Sequence, residues 1–334
     1  MAVYASDPLA RPDRDFEPGT LRHLAPHARG RLLDPRRTPV TVVAVRPAVG
    51  FVDLRIEDFE DAGAVWQVPF EDVEHYQFEP DGPRADDAAV AAMEAAIERF
   101  AHDQSFEADG EARRRTEARI ASQRVEAEAW LAAHSRFLAE GGALPDPRAR
   151  RGHPLLANDL EAYLRVREVW PIETAFTRHF VSNPRSGDMV KAHRIVLAKL
   201  GLARYDGPVV RDPTALAGDW SEVRRAEHVI ARLAFLRALF AGLQVQSVTL
   251  WRGLSTDSDL RDPDRGRSFV STSFDEAVAR AHYDSAGREA TRLIVGQAVP
   301  VERLFVTYLE TAAMNDRYLE AEAVVLAQPG DRWP

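Results

Sequence analysis

The order of apolar and polar positions divides the chain before any composition is considered. Alternation at a two-residue period, the mark of a half-buried strand, runs through Val40–Val45, Gly50–Ile56 and Ala64–Phe70. Pro47–Gly50 and the acidic turn Glu57–Gly63 separate these runs, which predicts a small antiparallel β module over 39–83. Helical spacing follows. Val90, Met93, Ile97 and Phe100 form one apolar stripe; Ile120, Val125, Trp130, Leu131, Phe137 and Leu138 populate a second helix from about Glu111. Together they predict a helical hairpin over 84–143.

Leu144–Pro154 reads as a linker, and helices are expected over Leu155–Val181 and Asp188–Leu200, with Pro171 breaking the first. Ser221–Leu243 has the three-four spacing of an amphipathic helix. Beyond it the chain turns β-rich: Val245–Gly253, Arg267–Phe274, Thr291–Val299, Arg303–Leu309 and Glu320–Ala327. One helix interrupts, opened by the capping-box pattern Ser273-Phe-Asp-Glu276. The fold class expected is α+β, and the 39–83 module has the strand lengths of an SH3-like barrel. Its aromatics Phe51, Trp66, Phe70, Tyr76 and Phe78 suit a core or a binding face. Residues 1–38, rich in Pro, Arg and Asp, are expected to be an irregular lead-in. His23 and His27 within it are expected in a solvated loop, because Pro26 prevents a helical metal pair.

Composition narrows the chemistry. The chain has no cysteine, which removes disulfides, thiolate metal sites and a cysteine nucleophile, and no metal is expected. The net charge of −9 is shared by both halves, so neither is a general nucleic-acid-coating surface. The cluster Arg113–Arg115 is surrounded by Glu107, Asp109, Glu111 and Glu117 and reads as a solvated helix face. No run reaches the ~18 apolar residues of a membrane span, and the N-terminus lacks a signal-peptide core. Synthesis in the cytoplasm is therefore expected. Only Lys191 and Lys199 interrupt an otherwise all-arginine basic set.

Three short stretches carry candidate chemistry. In Leu250–Gly253, an arginine ends an apolar strand; its planar fork suits phosphate oxygens, and Gly253 permits a close backbone approach. In Phe269–Phe274, alternation gives Ser271 and Ser273 one face and Thr272 the other. In Glu320-Ala-Glu322, two carboxylates are expected on one strand face, about 6.6 Å apart along it. Each stretch has an ordinary structural explanation: a turn, a polar ladder, and a charged edge strand.

Their order and spacing together resemble the ADP-ribosyltransferase family, in the clade marked by Arg, Ser-Thr-Ser and Glu-x-Glu. The resemblance covers the core 221–334 and extends back over a catalytic domain of 153–334. It implies a two-sheet β core with flanking helices, and NAD as a substrate held in the cleft. Arg252 would grip the phosphates, with Gly253, Phe269, Ser271, Thr272 and Ser273 also lining the NAD site. Glu322 would stabilise the oxocarbenium-like sugar as nicotinamide leaves, Ser271 would hold Glu322, and Glu320 would receive the nucleophile. Glu-x-Glu implies arginine as acceptor. The segment Leu309–Tyr318 would present that acceptor, through Glu310, Asn315, Asp316 or Tyr318.

The family setting implies a bacterial toxin or effector acting on an arginine of a target protein. Delivery by a secretion system and a cognate neutralising partner belong to the same setting. NAD glycohydrolysis at the same site and transfer to a nucleic-acid base are the alternatives. A non-catalytic β-rich binding protein is the bland one.

Overall fold

The computed structural model describes residues 16–33, 37–57, 62–63, 65–182, 187–256, 268–284, 291–316, 319–328, 331 and 333. The protein is a mixed α+β chain with antiparallel sheets. It divides after His102 into two compact units, Met1–His102 and Asp103–Pro334.

The first unit is built on a six-stranded sheet of β1 (Glu17–Pro18), β2 (Arg29–Leu32), β3 (Pro39–Arg46), β4 (Phe51–Ile56), β5 (Val65–Pro69) and β6 (Tyr76–Phe78), ordered β1-β6-β2-β3-β4-β5. The three strands expected from alternation are β3, β4 and β5. The lead-in contributes more than expected, because it supplies β1 and β2. His23 is buried rather than solvated: it stacks on Phe78 at 5.4 Å and its ring nitrogens meet Thr20 and Glu17. Helix α1 (Asp87–Phe100) opens on Asp86, whose carboxylate accepts from the Ala89 amide at 2.7 Å, and it buries Met93 and Ala96 in this unit's core.

The two helices expected as a hairpin fall in different units. The chain leaves α1 through a short strand, β7 (Asp103–Phe106), which pairs with β8 (Tyr205–Pro208) in the second unit. The second helix, α2 (Gly110–His134), buries Ile120, Ala127 and Leu131 there and packs along α7 (Glu222–Gly242). Val125, counted in its apolar stripe, is exposed.

The second unit continues with α3 (Arg136–Ala139), α4 (Pro154–Val166), α5 (Trp170–Ser182) and α6 (Asp188–Lys199). Pro171 lies in the first turn of α5, where the missing N–H has no intrahelical partner to lose. The expected linker 144–154 is bound to the unit. Arg150 pairs with Asp275 at 2.8 Å, the His153 amide donates to the Leu309 carbonyl, and a Cβ on Gly152 would stand 2.3 Å from the Tyr308 carbonyl oxygen.

Helix α7 has the expected limits but not the expected solvated face. From Val229 to Phe240 every residue is buried, and so are Arg225 and His228. It is the axis of the unit, with α2, α4, α5 and α6 around it. Each large apolar side chain sequestered there contributes roughly 1.5–3 kcal/mol.

Below it lies one five-stranded sheet of β9 (Ser247–Thr256), β10 (Phe269–Ser273), β11 (Thr291–Pro300), β12 (Leu304–Thr307) and β13 (Glu322–Leu326), ordered β11-β9-β10-β13-β12. Helix α8 (Glu276–Asp284) follows β10, and α9 (Ala313–Asp316) precedes β13. The expectation of two sheets is corrected to one sheet with a seam. Among the described residues β9 pairs with β10 only at Trp251↔Ser273, whereas β9–β11 and β10–β13 are long ladders. Among the described residues no helix is long and apolar enough to cross a membrane.

Candidate active site

The seam opens a cavity of about 620 Å³, lined from β9 by Trp251–Leu254 and from β10 by Phe269 and Ser271–Ser273. Arg252, Gly253, Phe269, Ser271, Thr272 and Ser273, expected to line the NAD site, line it; Glu322, expected to face the nicotinamide ribose, is not among its lining residues. Strands that share one residue pair and then part leave a cleft between them, so the topology itself makes the opening.

Each side chain has a defined task. Arg252 reaches across the seam, its Nη1 donating to the Ser271 carbonyl at 2.5 Å. Ser271 is exposed on the cavity side, and its hydroxyl donates to Glu322 Oε1 at 2.5 Å. Ser271 stands opposite Val324 in the ladder, so this bond runs diagonally across the strands. Thr272, on the opposite face, is buried and donates to the Ala323 carbonyl at 2.8 Å, which locks β10 to β13. Ser273 donates to the Glu320 carbonyl at 2.6 Å and accepts from the Asp275 amide. The helix cap therefore moves two residues on: Asp275 accepts from the Ala277 amide at 2.9 Å and begins α8. Phe269 stacks on Phe305 at 5.2 Å, so one face of the cavity is also core.

Glu322 is the first residue of β13 and is half-buried. Burial pushes its carboxyl up to about 7, and the nearby Glu320 pushes the same way; Ser271, Arg252 and His282 pull it back. Glu320 is not on the strand. Leu319 and Ala321 hold φ of 50° and 46°, the left-handed region, so the backbone turns on both sides of it. The expectation of two carboxylates on one continuous strand face is thereby corrected. Glu320 nevertheless lines the cavity.

Gly253 has a packing reason beside the one read in the sequence. A Cβ there would stand 1.8 Å from the Ala279 carbonyl oxygen, so the missing side chain admits helix α8 against β9. Two further polar residues line the cavity that the sequence motifs did not single out, Arg194 from α6 and His282 from α8. His282 follows Val278 and Ala279 at i+4 and i+3, and all three line the cavity, so helical spacing contained the signal. The local pattern of α6 held none for Arg194.

The segment between β12 and β13 departs from expectation. Glu310 is fully buried, with Arg232 Nη2 at 2.8 Å and the Thr307 amide at 2.8 Å, and presents nothing to an acceptor. Asn315 and Asp316 end α9, but their side chains, like Tyr318 as a whole, lie outside the described residues.

Among the described residues no group of three His, Cys, Asp or Glu side chains is arranged to hold a metal. No family model, no curated protein and no solved structure matches the chain.

Proposed function

We propose that the second unit is an NAD-dependent mono-ADP-ribosyltransferase that modifies arginine on a target protein. The observation that carries this reading is the Ser271–Glu322 hydrogen bond, whose serine lines a cavity together with Arg252 and Glu320. Three of these residues, one from each stretch, line a cleft of ligand size, and Ser271 ties Glu322 to it. A charged edge strand alone would not require a serine on the carboxylate or an arginine across the seam.

In this reading Arg252, aided by Arg194, takes the phosphates of NAD. Glu322 faces the nicotinamide ribose. The C1′–N bond breaks with its electron pair leaving on nicotinamide, and positive charge develops on the sugar where Glu322 stabilises it. The guanidinium nitrogen of the acceptor bonds to C1′ and its proton passes to Glu320. The SH3-like character of the first unit's sheet and an ADP-ribosyltransferase-like core belong to the same proposal, as does a toxin or effector setting.

Incubating the protein with NAD and agmatine, a small guanidinium acceptor, tests the reading. Nicotinamide and ADP-ribosyl-agmatine should appear together, and Glu322→Ala should abolish both, by about a hundredfold or more. Nicotinamide without adduct would instead indicate hydrolysis. Neither product would leave a binding protein.

A further inference from the structure

The cavity contains a polar contact that the motif does not assign. His282 Nε2 lies 3.2 Å from Glu320 Oε1. We propose that His282 is the positioning residue of Glu320: it fixes the direction of that carboxylate in the cavity and so favours transfer to a guanidinium over hydrolysis. This rests on the transferase reading above.

Glu320 needs such a partner. It stands before β13, between two residues with left-handed φ, so no strand ladder fixes it. Ser273 anchors only its carbonyl. Its side chain is 31% exposed and would otherwise have the rotamer freedom of a surface glutamate. His282 comes from a firm base, because α8 is set against β9 by the close contact of Ala279 with Gly253. The charged groups around His282 include Glu320 and Glu322 from the β13 side and Arg252 from β9. Its hydrogen bond to Glu320 raises the imidazole above its ordinary value, against the opposing effect of burial.

The consequence is selective. A guanidinium acceptor is drawn in by the aimed Glu320 carboxylate and gives up its proton there as the N–C1′ bond forms. Water carries no charge for Glu320 to attract and depends on it less. His282 itself takes no proton in this scheme.

The test compares the full chain with His282→Ala and His282→Gln, measuring ADP-ribosyl-agmatine and free ADP-ribose from the same incubation. In His282→Ala the ratio of transfer to hydrolysis should fall about tenfold or more. His282→Gln, which keeps a donor, should recover part of it. A second measurement reads the pair without turnover: the imidazole of His282, followed by NMR, should titrate lower in Glu320→Gln than in the wild type. An unchanged ratio overturns the proposal. So does a parallel loss of both activities, which would mark a merely structural residue. If the wild type leaves NAD intact, the transferase reading falls and this role with it, while the NMR titration still reports whether the pair exists.

Discussion

Glu322 carries an ionisation that activity should display. The carboxylate is the form that stabilises a cationic sugar, and burial raises its ionisation to about 7. Nicotinamide release should therefore rise as pH climbs through about 7 and then level off. Ser271→Ala removes a hydrogen bond that favours the charged form and should move that inflection upward; Glu320→Gln removes a like charge and should move it downward. A kcat/KM profile for each variant checks both signs. Stability runs the other way. The folded state holds the Glu322 proton to higher pH than the unfolded chain, whose ordinary value is 4.5, so folding loses stability between 4.5 and about 7. At this scale the residue types of the motif were legible, because hydroxyl, guanidinium and carboxylate have few uses at adjoining strand ends. The conformation of Glu320 was not: a left-handed Ala321 has no signature in an apolar, strand-like string.

At the scale of elements, α7 shows what periodicity omits. Its apolar spacing was plain, but the polar face turned inward as well. Arg232 is fully buried between Glu173 of α5, at 3.0 Å, and Glu310, at 2.8 Å. His228 meets Glu173 at 2.7 Å and His193 of α6 at 3.2 Å, and Arg225 closes the chain on His193. Burial would raise Glu173, but Arg232 and His228 hold it below its usual value; burial lowers both histidines. Two guanidinium groups thus balance two carboxylates inside the unit. Arg232→Met should destabilise the second unit by about 3–5 kcal/mol, because it strands buried carboxylates. Denaturant unfolding measures it. The same change frees Thr311, to which Arg232 donates at 2.7 Å, at the start of the segment that leads to Glu320. No spacing rule joins residues of α5, α6, α7 and the β12–β13 segment; only packing does.

On the scale of the whole molecule, the two units make a prediction about boundaries. Residues 103–334 expressed alone should unfold cooperatively and keep the cavity, since that unit has its own core. A chain begun at residue 153, the expected start of the catalytic domain, should aggregate. It lacks α2, which covers α7, and so exposes apolar surface that α2 buries. Thermal unfolding and size-exclusion chromatography of the two fragments decide the matter.

What the sequence determined by itself is what short-range patterns encode: the positions of most strands and helices, the α+β class, and the identity of the candidate chemical groups. Alternation and three-four spacing follow from backbone geometry within a few residues, and they were sufficient for β3, β4, β5, α7 and the last five strands. Tertiary structure decided the rest. It set the seam at Trp251–Ser273 that opens the cavity, the close approach of α8 through Gly253, and the turn that takes Glu320 off the strand. It also brought His282 to Glu320 across 38 positions of sequence. These depend on which surfaces exclude water together, a property of pairs of elements that no single stretch of chain contains.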